Sequence, residues 1–123
     1  MFMRDSELRT RSKELALRII MMCENIDTSK GKGVLVNQIV KSATSIGANI
    51  HEAHYGTSKA DFINKLHIAL KECSETEYWI DILVGARAID ELTANQFSQE
   101  CGVIRRMLVK SINTAKASLA KEE

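Results

Sequence analysis

The chain is 123 residues long, the size of one domain and enough to bury roughly two thirds of the surface that its unfolded form exposes. Its 17 Lys and Arg against 16 Asp and Glu leave a net charge of +1, which excludes a histone-like polycation and a disordered acidic tail, so any electrostatic role must come from how the charges are placed. The longest apolar run, Leu15 to Cys23, is interrupted by Arg18, and the segment before it is heavily charged; this argues against a secretory signal or a membrane span and predicts a cytoplasmic protein.

Proline is absent, glycines number six, and no β-branched alternation is sustained, so long helices are expected throughout. The first should run over about 5–26, with Leu8, Leu15, Ile19, Met22 and Ile26 on one face, and stop at Thr28-Ser29-Lys30-Gly31-Lys32-Gly33. The second, about 34–55, sets Ile39, Ala43, Ile46, Ile50 and Ala53 in a 4-3-4-3 row ended by Gly56. Ser58 and Asp61 have capping-box spacing at the start of the third, about 58–88, whose inward row is Phe62, Leu66, Ala69, Cys73, Thr76, Ile80 and Leu83. Thr93 and Gln96 form a similar box opening the fourth, about 93–120, with Phe97, Cys101, Ile104, Leu108 and Ala115 inward. Four helices with short links predict an all-α, antiparallel up-down-up-down bundle forming one domain over 1–123.

A helix of 22 residues is about 33 Å long, so such a bundle has more lateral surface than its own core uses. Leu17, Ile20 and Met21 make an extra apolar strip on the first helix, and Ile68, Trp79 and Ile82 lie off the core row of the third. Self-association is the favoured reading of these, a broad core stripe the alternative. Gln38, Ser42, Ser45, Asn49 and Glu52 form a second row on helix two. Being small or amide-bearing, it suits a close helix or subunit contact centred on Asn49 and Glu52, in place of an ordinary solvated face.

Ser45-Ile46-Gly47-Ala48-Asn49-Ile50-His51-Glu52, followed by Ser58, Asp61, Phe62, Leu66, Ile68-Ala69 and Glu75, resembles the signature of the four-helix-bundle proteins encoded within intervening sequences of bacterial 23S rRNA genes, a family often given a ribosomal-protein label. The chain is more distantly similar to Avd, the accessory protein of diversity-generating retroelements, which binds a reverse transcriptase and nucleic acid. The resemblance is most specific from Ile39 to Leu83. It implies a homopentameric ring of bundles with a central channel, and no established activity for most members. One departure is Ala53 after Glu52, where the family commonly has Gly.

Arg4, Arg11 and Arg18 recur every seven residues on helix one, and Arg105, Arg106, Lys110 and Lys116 make helix four the most basic segment, while helix three is acidic. Multiplied around a ring, these rows would attract phosphate without reading bases, and RNA or a nucleic-acid-handling protein is the partner they suggest. Charges that merely solvate a helix are the competing reading, since Glu7, Glu14 and Glu100 dilute the rows. One Trp, two Tyr and three Phe include none interleaved with the basic row for base stacking, so sequence specificity is not expected.

No catalytic, cofactor or metal motif stands out. None of His51, His54 and His67 has Glu three residues before it, as a di-iron bundle requires, and His51-Glu52-Ala53-His54 is one residue short of H-E-x-x-H. Glu72, Glu75, Glu77 and Asp81 are spread around helix three. Lys30-Gly31-Lys32-Gly33 lacks Walker spacing and follows a helix, so it reads as a connector. Cys23, Cys73 and Cys101 are odd in number and lack a C-x-x-C pair, which predicts three reduced, small apolar residues. The sequence therefore predicts a non-enzymatic, self-assembling helical protein that binds RNA through a basic surface, or alternatively a protein-binding scaffold.

Overall fold

The structure, a computed structural model, describes residues 2–122, with side-chain surroundings from Ser6 onward. Four helices follow in order: α1 Phe2–Cys23, α2 Lys32–His54, α3 Lys59–Gly85 and α4 Glu91–Glu122. Each packs against its neighbours in the cycle α1-α2-α3-α4, so α1 lies diagonally opposite α3 and α2 diagonally opposite α4. This is the all-α four-helix arrangement that the short links predict.

The helix ends follow local chemistry. α1 stops three residues before Ile26 because Glu24, Asn25 and Ile26 donate their N–H groups three residues back, to Met21, Met22 and Cys23 at 3.1–3.2 Å, tightening the chain off the α-helical ladder; Ile26 stays buried all the same. Lys30 and Gly31 take positive φ angles of 58° and 85°, turning the chain into α2. Gly56 ends that region at close quarters, since a Cβ placed on it would stand 2.8 Å from Asp61 Oδ2. At the start of α3, Ser58 Oγ accepts the Asp61 N–H at 3.1 Å, the one half of the capping box that is made among the described residues. Ser58→Ala is expected to remove about 1 kcal/mol of stability, read as a lowered denaturation midpoint, whereas Thr57→Ala beside it should change little.

Two further boundaries differ from the sequence expectation. α3 ends at Gly85 and not at Ala88, because Arg87 adopts a left-handed φ of 61° and lets the Ala88 N–H reach the Leu83 carbonyl at 2.8 Å, a Schellman-type stop that usually employs glycine. α4 is capped by Asp90 and not by Thr93: Asp90 Oδ1 accepts the Thr93 N–H at 2.7 Å, and a carboxylate gains more than a hydroxyl from the positive end of a helix. That bond holds the Asp90 carboxyl below its ordinary range.

The inward rows are buried as their spacing predicts, apart from Met22 and Phe62 at its edge, and Ile63, Ala94 and Ile112 join them. The hydroxyls of Thr76, Ser42 and Ser12 in this core are bonded. Thr76 donates to Ser42 at 2.9 Å across the α2/α3 seam, and Ser42 passes its own proton to the Ile39 carbonyl at 3.2 Å, so neither hydroxyl is left without a partner. Ser12 is buried where α1 crosses Gly47 of α2, its hydroxyl bonded to the Arg9 carbonyl at 3.1 Å. All three cysteines are buried and free. A hydrogen bond with the Cys73 thiol, followed by burial, pushes the Cys101 thiol far up, which keeps it protonated and chemically quiet.

Candidate functional site

The surface splits into sides set by helix order. On the α1/α4 side, the guanidinium of Arg18 pairs with Glu100 and lies over the Phe97 ring, 5.3 Å from its centre. Arg11 pairs with Glu7 of its own helix at 3.0 Å. The side chain of Arg4 lies outside the described residues. On the α3/α4 side Arg105 pairs with Glu77 at 3.2 Å. Arg106 and Lys110 have no carboxylate partner among the described residues and line a shallow groove on α4 with Val109 and Asn113. The basic residues that the sequence places in two rows therefore differ in state: Arg11, Arg18 and Arg105 are locally neutralised, while Arg106 and Lys110 remain open to a ligand.

The α2/α3 side gathers the small polar row with the acidic helix. Glu52 reaches across the seam to Lys65 at 3.2 Å. Asn49 and Ser45 instead bond carbonyls of their own helix, at Ser45 (2.8 Å) and Lys41 (2.7 Å), because short polar side chains on a helix find the carbonyl one turn back. Cross-seam hydrogen bonding thus falls to Ser42 and Glu52 and not to Asn49. Gln38, Ser45 and Asn49 are half-buried, as are Trp79 and Ile82, whereas Ile68 is exposed. Tyr78 stands beside Trp79, edge to face at 5.1 Å, and is 56% exposed. The Trp79 indole N–H is buried with no acceptor among the described residues.

No group of three or more His, Cys, Asp or Glu side chains converges as metal ligands among the described residues. His51 packs on Tyr55 and His54 on Phe62, at ring separations of 5.1 and 6.4 Å, so both imidazoles are engaged with aromatic neighbours. None of the helices, over the described residues, is long and apolar enough to cross a membrane.

The model of the 23S rRNA-intervening sequence protein family matches residues 4–110. The chain belongs to this family. Among solved structures, the fold superimposes with a TM-score of 0.85 on the crystal structure of a protein with unknown function from the S23 ribosomal protein family of Bacteroides thetaiotaomicron, at 38% identity, over 89% of this chain and 98% of that one. Comparison with curated proteins gives no significant match. The resemblance read from Ser45 to Glu52 and beyond is thereby confirmed at the level of the family, and the Ala53 departure sits without disturbance in the buried row near the end of α2.

Sequence reasoning missed one surface of this family member. Arg9 and Lys13 of α1 line a groove of about 600 Å³ with Leu17 and Ile20, closed on the other side by Thr44 and His51 of α2, and no carboxylate lines it. The signal was present as Arg9, Lys13 and Leu17 at successive fours, a row on the side of α1 opposite the one that holds Arg11 and Arg18. The α2/α3 side carries the reverse charge. Burial, then a hydrogen bond with Glu75 and its negative charge, pushes the Glu72 carboxyl up, while Lys71 and Ser45 act in the opposite sense. A carboxyl whose folded-state pKa is raised supports folding at acid pH, and that support is lost as pH rises through the folded-state value. Glu72→Gln is therefore expected to raise the thermal midpoint at pH 7 in dilute solution, with the gain fading as the pH falls through the carboxylate range; a gain that persists undiminished in acid would contradict this origin.

Proposed function

We propose that this chain acts as a non-enzymatic, self-assembling bundle, a homopentamer as the family resemblance implies, whose oligomer serves as a scaffold. One observation carries the reading: large apolar side chains stay in solvent on separate sides of a well-packed bundle, with Leu17 51% and Met21 63% exposed on α1, and Ile68 and Tyr78 on α3. Surfaces of this kind, flanked by polar side chains, are what association buries. Light scattering after size exclusion tests it. A mass several times the 13.8 kDa of one chain supports assembly, five times supports the pentamer, and a monomer overturns both.

Contact of that assembly with RNA is a second reading, supported by Arg106 and Lys110, which lack ion-pair partners among the described residues. The reversal R106E/K110E is expected to weaken retention of RNA at least tenfold and to flatten its salt dependence, since each lost phosphate contact removes about one unit from the salt slope. Retention unchanged by the reversal would leave the scaffold reading standing alone.

A further inference from the structure

Two adjacent sides of the bundle carry opposite charge in matching patterns. On the α1/α2 side, Arg9 and Lys13 precede Leu17 and Ile20; on the α2/α3 side, Glu72 and Glu75 precede Trp79 and Ile82, with Ser45 of α2 beside Glu72. Each row places two like charges and then two apolar side chains along about 15 Å of helix. Beside Glu72, Lys71 offsets the carboxylate charge in part, and Lys65 is taken by Glu52. We propose that these sides are the two halves of one head-to-tail contact between copies of this chain, with α1 of one copy lying against α3 of the next. The inference rests on the self-assembly reading above and names its surfaces.

Direction and level agree with it. α1 and α3 are alternate helices of an up-down bundle and run the same way, so the charge-then-apolar order of one meets that of the other without inversion. Across the α2/α3 seam Glu52 meets Lys65 and Ser42 meets Thr76, which sets Gly47, midway between them, level with Leu70 or Lys71. Ser12 touches Gly47. Lys13 is therefore level with Glu72, Leu17 with Glu75 and the turn after it, and Ile20 with Trp79. Arg9 lies one turn before Glu72, level with His67 and Ile68, so that Lys13 and Glu72 form the charge pair at one level and Arg9 approaches Glu72 from the turn before it. A neighbour turned about the bundle axis meets these partners with no shift along it, and that is the condition for a closed ring as opposed to a filament.

The angle agrees as well. Adjacent sides of a four-helix bundle face about 90° apart; a head-to-tail contact between sides so inclined closes after about four copies, and an opening of the angle to about 108° closes it after five. α2, the helix common to both sides, then faces the ring axis and brings the exposed Lys41 toward it. α4, diagonally opposite, lies on the outer rim with Arg106 and Lys110.

Charge exchange tests the contact. Light scattering after size exclusion is run on the unaltered chain, on R9E/K13E, on E72K/E75K and on the combination of all four substitutions, with circular dichroism to confirm helicity. Each double reversal sets like charges against each other and is expected to lower the mass to that of the monomer, while the combination restores opposite charges and the original mass. Leu17→Asp, on an exposed position, should dissociate the oligomer independently of the charge rows. An oligomer that keeps its mass in both reversals, or a fully helical combination that stays monomeric, overturns the contact and leaves self-assembly intact. A monomeric unaltered chain overturns self-assembly and the contact together.

Discussion

Leu108→Ala is expected to destabilise the bundle by about 3–4 kcal/mol, lowering the thermal midpoint by on the order of 10 °C at fixed protein concentration. Leu108 is 0% exposed on the inward row of α4, between Ile104 and Ile112, so truncation removes its transfer free energy and leaves a cavity that the surrounding helices cannot close without moving. Leu92, at the start of the same helix, is 69% exposed, and Leu92→Ala should change the stability by less than about 0.5 kcal/mol. Chemical denaturation of the two variants side by side separates burial from helix propensity, because the residue exchange is the same. Equal losses at the two positions would contradict the inward row on α4.

Gly47→Leu is expected to cost about 1–3 kcal/mol and to loosen α1 before the rest of the bundle. A Cβ at Gly47 meets Ser12 Oγ at 3.3 Å and the Ser12 backbone carbon at 3.8 Å, so one methyl group nearly fits and a branched chain does not. Gly47→Ala should come out near neutral, the gain in helix propensity of about 1 kcal/mol offsetting the tight contact. Hydrogen exchange resolves the mechanism: faster exchange confined to α1 amides in the leucine variant is the expected pattern. Uniform loss of protection, or a leucine variant as stable as the original, would place α1 and α2 farther apart than their close approach at Ser12. Because Gly47 also floors the groove lined by Arg9 and Lys13, the same variant should weaken assembly through the α1/α2 side.

Within the helices, the sequence was most legible where the argument is local. The row Ile39, Ala43, Ile46, Ile50, Ala53 is buried as its 4-3-4-3 spacing demands, since the period of an α-helix leaves only one face on which such residues can meet. Ser58 is legible for the same reason, its hydroxyl having a helix N-terminus within three residues. The boundary at Thr93 failed because Asp90 and Thr93 both have suitable chemistry by type, and only the backbone direction decides which oxygen meets a free N–H. Arg87 failed because its left-handed turn is imposed by the Leu83–Ala88 hydrogen bond, and nothing in an arginine advertises it.

The candidate surfaces divide along the same line. By itself the sequence determined four helices, their inward rows and the family, because period, caps and motif are read within one or two turns of chain. Only the tertiary structure decided which charges are spent. Arg18 meets Glu100 across 82 positions and Arg105 meets Glu77 across 28, pairings that depend on which helix lies beside which, and they cancel members of rows that look alike in sequence. The same neighbour relations turn Arg9 and Lys13 toward α2 and set Ser45 beside Glu72. A helix presents all its sides to a reader of its sequence; packing removes some of them, and the charge that remains in solvent is a property of the bundle and not of any one helix.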